Sequence, residues 1–216
     1  MTQHIAPPSA PAPDRTRHTL DLEQLYAPPS ESITRGVLPA LTPFHVEYLR
    51  AASFFCLATA GDDGLDASPR GGPPGFVHVL DEHTVAFADW PGNNRIASLR
   101  NLGEDDRVAM LFLFPGLDIF MRINGRARLS QAAELLEQLA EGGKRPKLAV
   151  VVAIDETLFH CGKAIHRARL WAPQSQLDRD ALPTPGRMKA AVLGLDASQV
   201  AEADARYSQA VRSDLY

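Results

Sequence analysis

Two short runs, Asp66-Ala-Ser-Pro-Arg-Gly-Gly72 and Asp89-Trp-Pro-Gly-Asn-Asn-Arg95, decide how this chain is read. Each is a polar corner, punctuated by Gly and Pro, at the end of an apolar run, where a sheet offers backbone N–H groups and side chains to a ligand. Arg70 and Arg95 bring guanidinium forks, while Ser68, Asn93 and Asn94 bring neutral donors. Together they make a donor set for a phosphate monoester held at several points. Either corner alone reads equally well as an ordinary surface turn, because Gly, Pro, Asn and Asp dominate turns. Their order and surroundings separate the two readings.

Upstream of the first corner, apolar runs at 54–60 and 65–68 flank Asp62-Asp-Gly64, which predicts a hairpin whose turn needs a residue at positive φ. Pro69 is expected to prevent a regular ladder in its second strand. Strands over 75–80 and 84–88, joined at Asp81-Glu82-His83, continue a meander. After Pro91-Gly92, Ile96, Leu99 and Leu102 recur at helical spacing, which predicts a helix over 94–102 with Asn93 or Asn94 near its N-terminus. That position favours an anion through free N–H groups and the helix dipole. Strands follow over 108–114 and 119–129, and Gly125 breaks the second one's register, pointing to a bulge or a close backbone approach.

A helix over 130–139, with Ser130 and Glu134 in its first turn, stops at Gly142-Gly143, and the Val-rich run 148–154 reads as a strand buried on both faces. Thr42 can cap a short helix over 43–52 ahead of the first strand, and helices over 188–193 and 198–211 end the chain. Residues 1–32 hold Pro7, Pro8, Pro11, Pro13, Pro28 and Pro29 among small polar residues, a composition that cannot offset its ordering entropy. The expectation is a mobile arm, relieved by the apolar patch Leu20, Leu22, Leu25 and Tyr26.

At 216 residues, 45% apolar and 22% charged, the chain has the size and balance of one globular domain with extensions. No apolar stretch approaches the roughly 20 residues of a membrane helix, so no membrane partner is expected. The N-terminus lacks the basic-then-apolar order of a secretory signal, which predicts a cytoplasmic protein. Cys56 and Cys161 form no CxxC pair and are expected as reduced thiols. A net charge of −4 argues against bulk nucleic-acid binding, so phosphate recognition should be local.

The ordered set Phe54-Phe-Cys-Leu-Ala-Thr-Ala-Gly61, Ser68-Pro-Arg-Gly71, Pro74-Gly-Phe-Val77, Pro91-Gly-Asn-Asn-Arg95, Ser98-Leu-Arg-Asn-Leu102, Arg107-Val-Ala-Met-Leu-Phe112, Arg122-Ile-Asn-Gly-Arg-Ala127 and His160-Cys-Gly-Lys-Ala164 with Leu170-Trp171 resembles the pyridoxamine 5′-phosphate oxidase-like flavoproteins. The likeness covers roughly Leu41 to Trp171. It implies a mainly β fold, a split β-barrel of six or more antiparallel strands with flanking helices, that forms a homodimer and holds FMN in the groove between subunits. The domain layout that follows is an arm over 1–38, the FMN-binding barrel over 39–172 and a helical extension over 173–216. Cofactor contacts are then expected from Ser68, Arg70, the strand end Ala88-Asp89-Trp90, Asn93, Asn94 and Arg95. Asp89 could instead orient Arg95.

Lys163, Arg167 and Trp171 lie at i, i+4 and i+8, so on one helix they would form a cationic stripe ending in an aromatic. The resemblance implies that this region approaches the flavin of the partner subunit. The bland reading is a solvated basic face with a core tryptophan. The implied function is FMN-dependent oxidoreductase chemistry with NAD(P)H or a small-molecule substrate, no protein acid or base being assignable. The family also includes deazaflavin reductases and haem-handling proteins, so a flavin-, deazaflavin- or haem-binding module is the competing class. A haem binder would need an axial imidazole, for which His78, His160 and His166 are the candidates. His160, Cys161 and His166 could also be zinc ligands, but no fourth ligand is apparent. Ser68 sits in no G-x-S-x-G elbow, which argues against a hydrolase. The long basic strand and C-terminal Arg-x-His element of pyridoxamine-phosphate oxidases have no clear counterpart, which leaves the substrate open.

Overall fold

The computed structural model describes residues 21–215. Of the mobile arm expected over 1–32, residues 1–20, Leu20 among them, lie outside the described residues. The chain divides into two units, 1–34 and 35–216. The first carries α1 (Leu22–Leu25) and most of α2 (Glu31–Arg35), neither of which buries a residue.

The second unit is built on a sheet of seven strands: β1 (Phe54–Gly61), β2 (Gly64–Gly71), β3 (Val77–Asp81), β4 (Thr84–Asp89), β5 (Arg107–Leu113), β6 (Ile119–Ser130) and β7 (Leu148–Cys161). Their order is β2-β1-β5-β6-β7-β4-β3, with every pair antiparallel. The two edge strands, β2 and β3, do not pair with each other, so the barrel stays open along one seam. This is the expected mainly β split barrel. Its helices are α3 (Pro43–Ala51), α4 (Ala97–Glu104), α5 (Ala133–Gln138), α6 (Lys163–Ala168), α7 (Pro185–Leu193) and α8 (Ala197–Ser213). No helix among the described residues is long and apolar enough to cross a membrane.

Strand periodicity builds the core. Phe55 and Leu57 of β1, Met110 and Phe112 of β5, and Met121 and Ile123 of β6 project to one side, each fully buried. Leu49 of α3 and Leu102 of α4 join them. β4 and β7 are buried on both faces: Val85, Phe87, Val150 and Val152 enter that core, whereas Ala86, Ala88, Ala149 and Val151 pack under Leu136 and Leu139 at α5. This accounts for the unbroken apolar run 148–154, whose alternate residues serve different cores. α3 opens at Thr42, whose N–H donates to His45 Nδ1 at 3.1 Å, a reciprocal cap with histidine in the usual Glu or Gln place.

The sheet curls strongly. Phe55 of β1 and Phe87 of β4 bring their ring centroids within 5.1 Å, although three strands lie between them in the ladder order. In a flat sheet with strands about 4.8 Å apart the two strands would stand about 19 Å away from each other. Curling therefore brings the ends of β2 and β4, which carry the two polar corners, into one neighbourhood.

The turn at Asp62-Asp63 and the irregularity at Gly125 are as expected, whereas the ladder at Pro69 and the start of α5 differ from expectation. The β1–β2 ladder passes Pro69 without a shift, from Phe54↔Gly71 through Cys56↔Pro69 to Gly61↔Gly64. β2 is an edge strand, where a residue without an N–H is tolerated because one side of the strand needs no donors. The hairpin turns through Asp62 and Asp63, with the positive φ on Gly64 at +118°. α5 begins at Ala133, three residues later than expected, because Ser130 still belongs to β6; its Oγ accepts the Ala132 N–H at 3.3 Å. Gly125 sits at a register shift between β6 and β7, where a Cβ would come within 2.1 Å of the Ala153 carbonyl oxygen. Only glycine permits that approach.

Candidate ligand-binding site

On β2 the strand period sets Asp66, Ser68 and Arg70 on one face. That face meets the first turn of α4. Ser98 Oγ donates to Asp66 Oδ2 at 2.6 Å and accepts from Arg70 Nη2 at 3.0 Å, while Ser68 Oγ donates to the same Asp66 oxygen at 2.8 Å. Arg70 Nη1 also donates to the Pro69 carbonyl at 2.9 Å. The two hydroxyls hold the Asp66 carboxyl below its ordinary range, the Ser98 contact foremost. Burial lowers the Arg70 guanidinium, against which Asp89 and Asp66 act to keep it charged. Asp89, at the end of β4, is pushed up by burial and pulled back by Arg70. Arg70 thus sits electrostatically between two carboxylates.

The loop from 90 to 96 closes the other side. Asn94 and Ile96 adopt left-handed φ values of 58° and 48°. For a β-branched residue this is strained backbone, of the kind concentrated at ligand sites. Asn93 Oδ1 accepts the Arg95 N–H at 3.0 Å and so fixes the turn. α4 starts at Ala97, later than the spacing predicts, because the left-handed residues delay helical geometry; Asn93 and Asn94 precede it as loop. Its N-cap is Ile96, which has no side-chain oxygen, so the N–H groups of its first turn receive no cap from that residue. Trp90 packs against the Leu136–Leu139 cluster, and its Nε1 donates to Glu141 Oε1 at 3.4 Å.

These parts line one cavity of about 660 Å³. Of the expected contact residues, Ser68, Arg70, Ala88, Asp89, Trp90, Asn93, Asn94 and Arg95 all face it. Asp66, Ser98, Phe76, Ile96 and Leu215 also line it, beyond the contacts that the sequence singles out. Ser98 follows from the same helical spacing once the helix starts at Ala97, since it then falls in the first turn; it is 3% exposed. Leu215 leaves no signal, because nothing in the sequence ties the C-terminal end to a corner more than a hundred residues upstream.

Lys163, Arg167 and Trp171 do not line the cavity. α6 ends at Ala168, and Arg169 takes a left-handed φ of 50°, so Trp171 leaves the helical face and the three-residue stripe does not exist. Trp171 Nε1 instead donates to the Leu117 carbonyl between β5 and β6 at 2.9 Å. Lys163 and Arg167 are exposed on α6. His166 Nε2 pairs with Asp118 Oδ2 at 2.8 Å. Burial and the nearby Arg122 lower His160. Among the described residues, no group of three or more His, Cys, Asp and Glu is placed to hold a metal ion.

The sequence model of pyridoxamine 5′-phosphate oxidase matches residues 41–161, more than half of the chain. The chain belongs to this family. Family membership spans α3 through β7 and takes in every cavity residue except Leu215. Similar solved structures include HupZ of Group A Streptococcus, 15% identical over 54% of this chain and 92% of that one, TM-score 0.44. An FMN-binding protein from Syntrophomonas wolfei is 15% identical over 52% and 79%, TM-score 0.41. The FAD binding protein from Mycobacterium smegmatis is 14% identical over 57% and 97%, TM-score 0.39. No curated protein matches the chain.

Proposed function

We propose that the cavity binds FMN and that the protein is an FMN-dependent oxidoreductase acting as a homodimer with NAD(P)H or a small-molecule substrate. The observation that carries this reading is the convergence of Arg70, Arg95 and the uncapped first turn of α4 on a single cavity. These are donors of the kinds that hold a phosphate. The cavity's volume of about 660 Å³ suits one cofactor-sized ligand.

The residues fit such a group. Arg70 uses two of its N–H donors within the chain, at Pro69 and Ser98, and a guanidinium carries about five. Asp66 accepts the hydroxyl protons of Ser68 and Ser98, which leaves a Ser98 lone pair for Arg70 Nη2 and so helps to orient the guanidinium fork. Phe76, Ala88, Trp90, Ile96 and Leu99 form an apolar wall for a ring system. FMN, when bound, supplies an isoalloxazine that accepts and passes on a hydride or electrons; the protein's part is placement and electrostatics. Among the described residues no histidine lines the cavity, so they offer haem no axial imidazole there.

The homodimer is supported by the sheet face opposite the main core. Leu111, Arg122 and Leu158 stand side by side across β5, β6 and β7, and Ala109, Asn124 and Glu156 form the next row. Arg122 Nη2 donates to Glu156 Oε1 at 2.9 Å, and Asn124 Nδ2 donates to the same oxygen at 2.8 Å. Arg122 Nε and Asn124 Oδ1 are buried without a hydrogen-bond partner. A patch that carries both charges, two unsatisfied polar atoms and an apolar rim is suited to meeting a copy of itself.

The test is direct. The purified protein should carry or take up a yellow flavin, released on denaturation as FMN, and NAD(P)H should bleach it without oxygen. A Soret band in place of flavin absorption would overturn the reading, and FMN that binds but is never reduced would leave a binding module.

A further inference from the structure

The cavity has one wall that the family match does not include. Residues 66–99 supply all of its described lining except Leu215, which follows α8 near the C-terminal end. α7 and α8 form a hairpin held internally by Asp204: its Oδ2 accepts from Thr184 Oγ1 at 2.7 Å and its Oδ1 from the Gly186 N–H at 2.6 Å. A Cβ on Gly186 would lie 2.5 Å from the Val200 carbonyl oxygen, so the two helices cross at backbone contact. The hairpin is therefore fixed in itself and sets the direction in which the chain leaves α8. Tyr207, Val211 and Leu215 follow one another at four-residue spacing, and all three are about half exposed. Leu215 alone of them reaches the cavity.

Resting on the reading of this cavity as an FMN site, we infer that the tail residue Leu215 is part of the ligand site of its own chain and retains the ligand by closing one side of it. An apolar side chain at that edge adds contact with a bound ring and removes a path for water. It makes no contribution to phosphate recognition, which belongs to β2 and α4. Its effect should appear in dissociation and in solvent access, and should be shared by FMN and riboflavin.

Two variants of the full chain test this: Leu215→Asp, and a chain ending at Ser213. Both changes leave the Asp204 contacts in place; Leu215→Asp also leaves α8 whole, whereas the shorter chain loses the C-cap bond from the Asp214 N–H to the Ala210 carbonyl. Release of FMN and of riboflavin, followed by stopped-flow fluorescence, should quicken about fivefold in both variants, the scale of losing a half-buried leucine contact. Quenching of the bound flavin by iodide should rise in parallel. Unchanged release and unchanged quenching in both variants, with FMN still bound, would overturn the role of the tail and leave the cavity assignment standing. An unaltered chain that fails to bind FMN would overturn the cavity assignment and the tail's role with it.

Discussion

Replacing Arg70 by Ala should weaken FMN far more than riboflavin, and far more than replacing Arg95 does. Arg70 is partly buried on β2, braced by Ser98 and by the Pro69 carbonyl, so its fork is already oriented before a phosphate arrives. A charge-assisted hydrogen bond contributes about 1.5–3 kcal/mol net, so losing a preoriented bidentate contact should cost about 3 kcal/mol. That corresponds to about a 150-fold rise in Kd. Riboflavin lacks the phosphate and should lose about 0.5 kcal/mol at most, through small shifts of Ser98. Arg95 lies on the exposed loop, so solvent screens it, and Arg95→Ala should cost about 1 kcal/mol, shrinking as salt is raised. Isothermal titration of both ligands into the three proteins at low and high salt reads all of these values. The fold should survive Arg70→Ala, since Asp66 keeps both serine hydroxyls. Equal losses for FMN and riboflavin, or a larger loss at Arg95 than at Arg70, would refute the assignment of the phosphate to the β2–α4 corner.

Asp66→Asn should lower stability at neutral pH and flatten the acid side of the stability profile. Asp66 titrates below its ordinary value when folded, so its contribution is present above that value and is lost as pH falls through the lower, folded one. Thermal melts of both proteins from pH 7 down to acid would show the two curves converging. Gly125→Ala should cost about 3 kcal/mol or prevent folding, because the new methyl meets the Ala153 carbonyl oxygen; urea titration measures it. Arg122→Glu and Glu156→Arg should each shift sedimentation toward monomer, and the double exchange should restore the dimer. A dimer untouched by either single change would remove this face from the interface.

The strands are legible in the sequence because their periods are strong. Phe55 and Leu57, or Met110 and Phe112, alternate cleanly, and Gly125 stands out because a glycine inside an otherwise regular strand gives up packing that the backbone must need for a bulge or a close approach. Pro69 misleads because sequence does not say which strands are edges, and edge position alone decides whether a missing N–H matters. The Lys163–Arg167–Trp171 stripe fails for a related reason. Helical spacing continues in the sequence past Ala168, but the left-handed turn at Arg169 ends the helix, and arginine gives no warning of positive φ. At the cavity, both corners are visible as turn-rich polar runs. Their meeting depends on the curl of the sheet, a property of the twist accumulated over several strands and of the Phe55–Phe87 contact. Ser98 is hidden because two departures, at Asn94 and Ile96, move the helix start away from the position that hydrophobic spacing implies.

The open seam between β2 and β3 bears on how this protein behaves in a crowd. An unpaired strand edge is a template on which another chain can lay down its own backbone, and both strands bordering the seam present one. On β2 the exposed edge also carries Ser68 and Arg70, so a foreign strand docked there would disturb the cavity as well as seed aggregation. Pro69 stands between those two residues and has no N–H to give, which leaves any incoming strand short of a bond at the middle of the exposed stretch. Replacing it with a residue that can donate would keep the internal ladder and make the edge adhesive. The proline guards the molecule against its own kind of bonding where its binding strand lies open to the solvent.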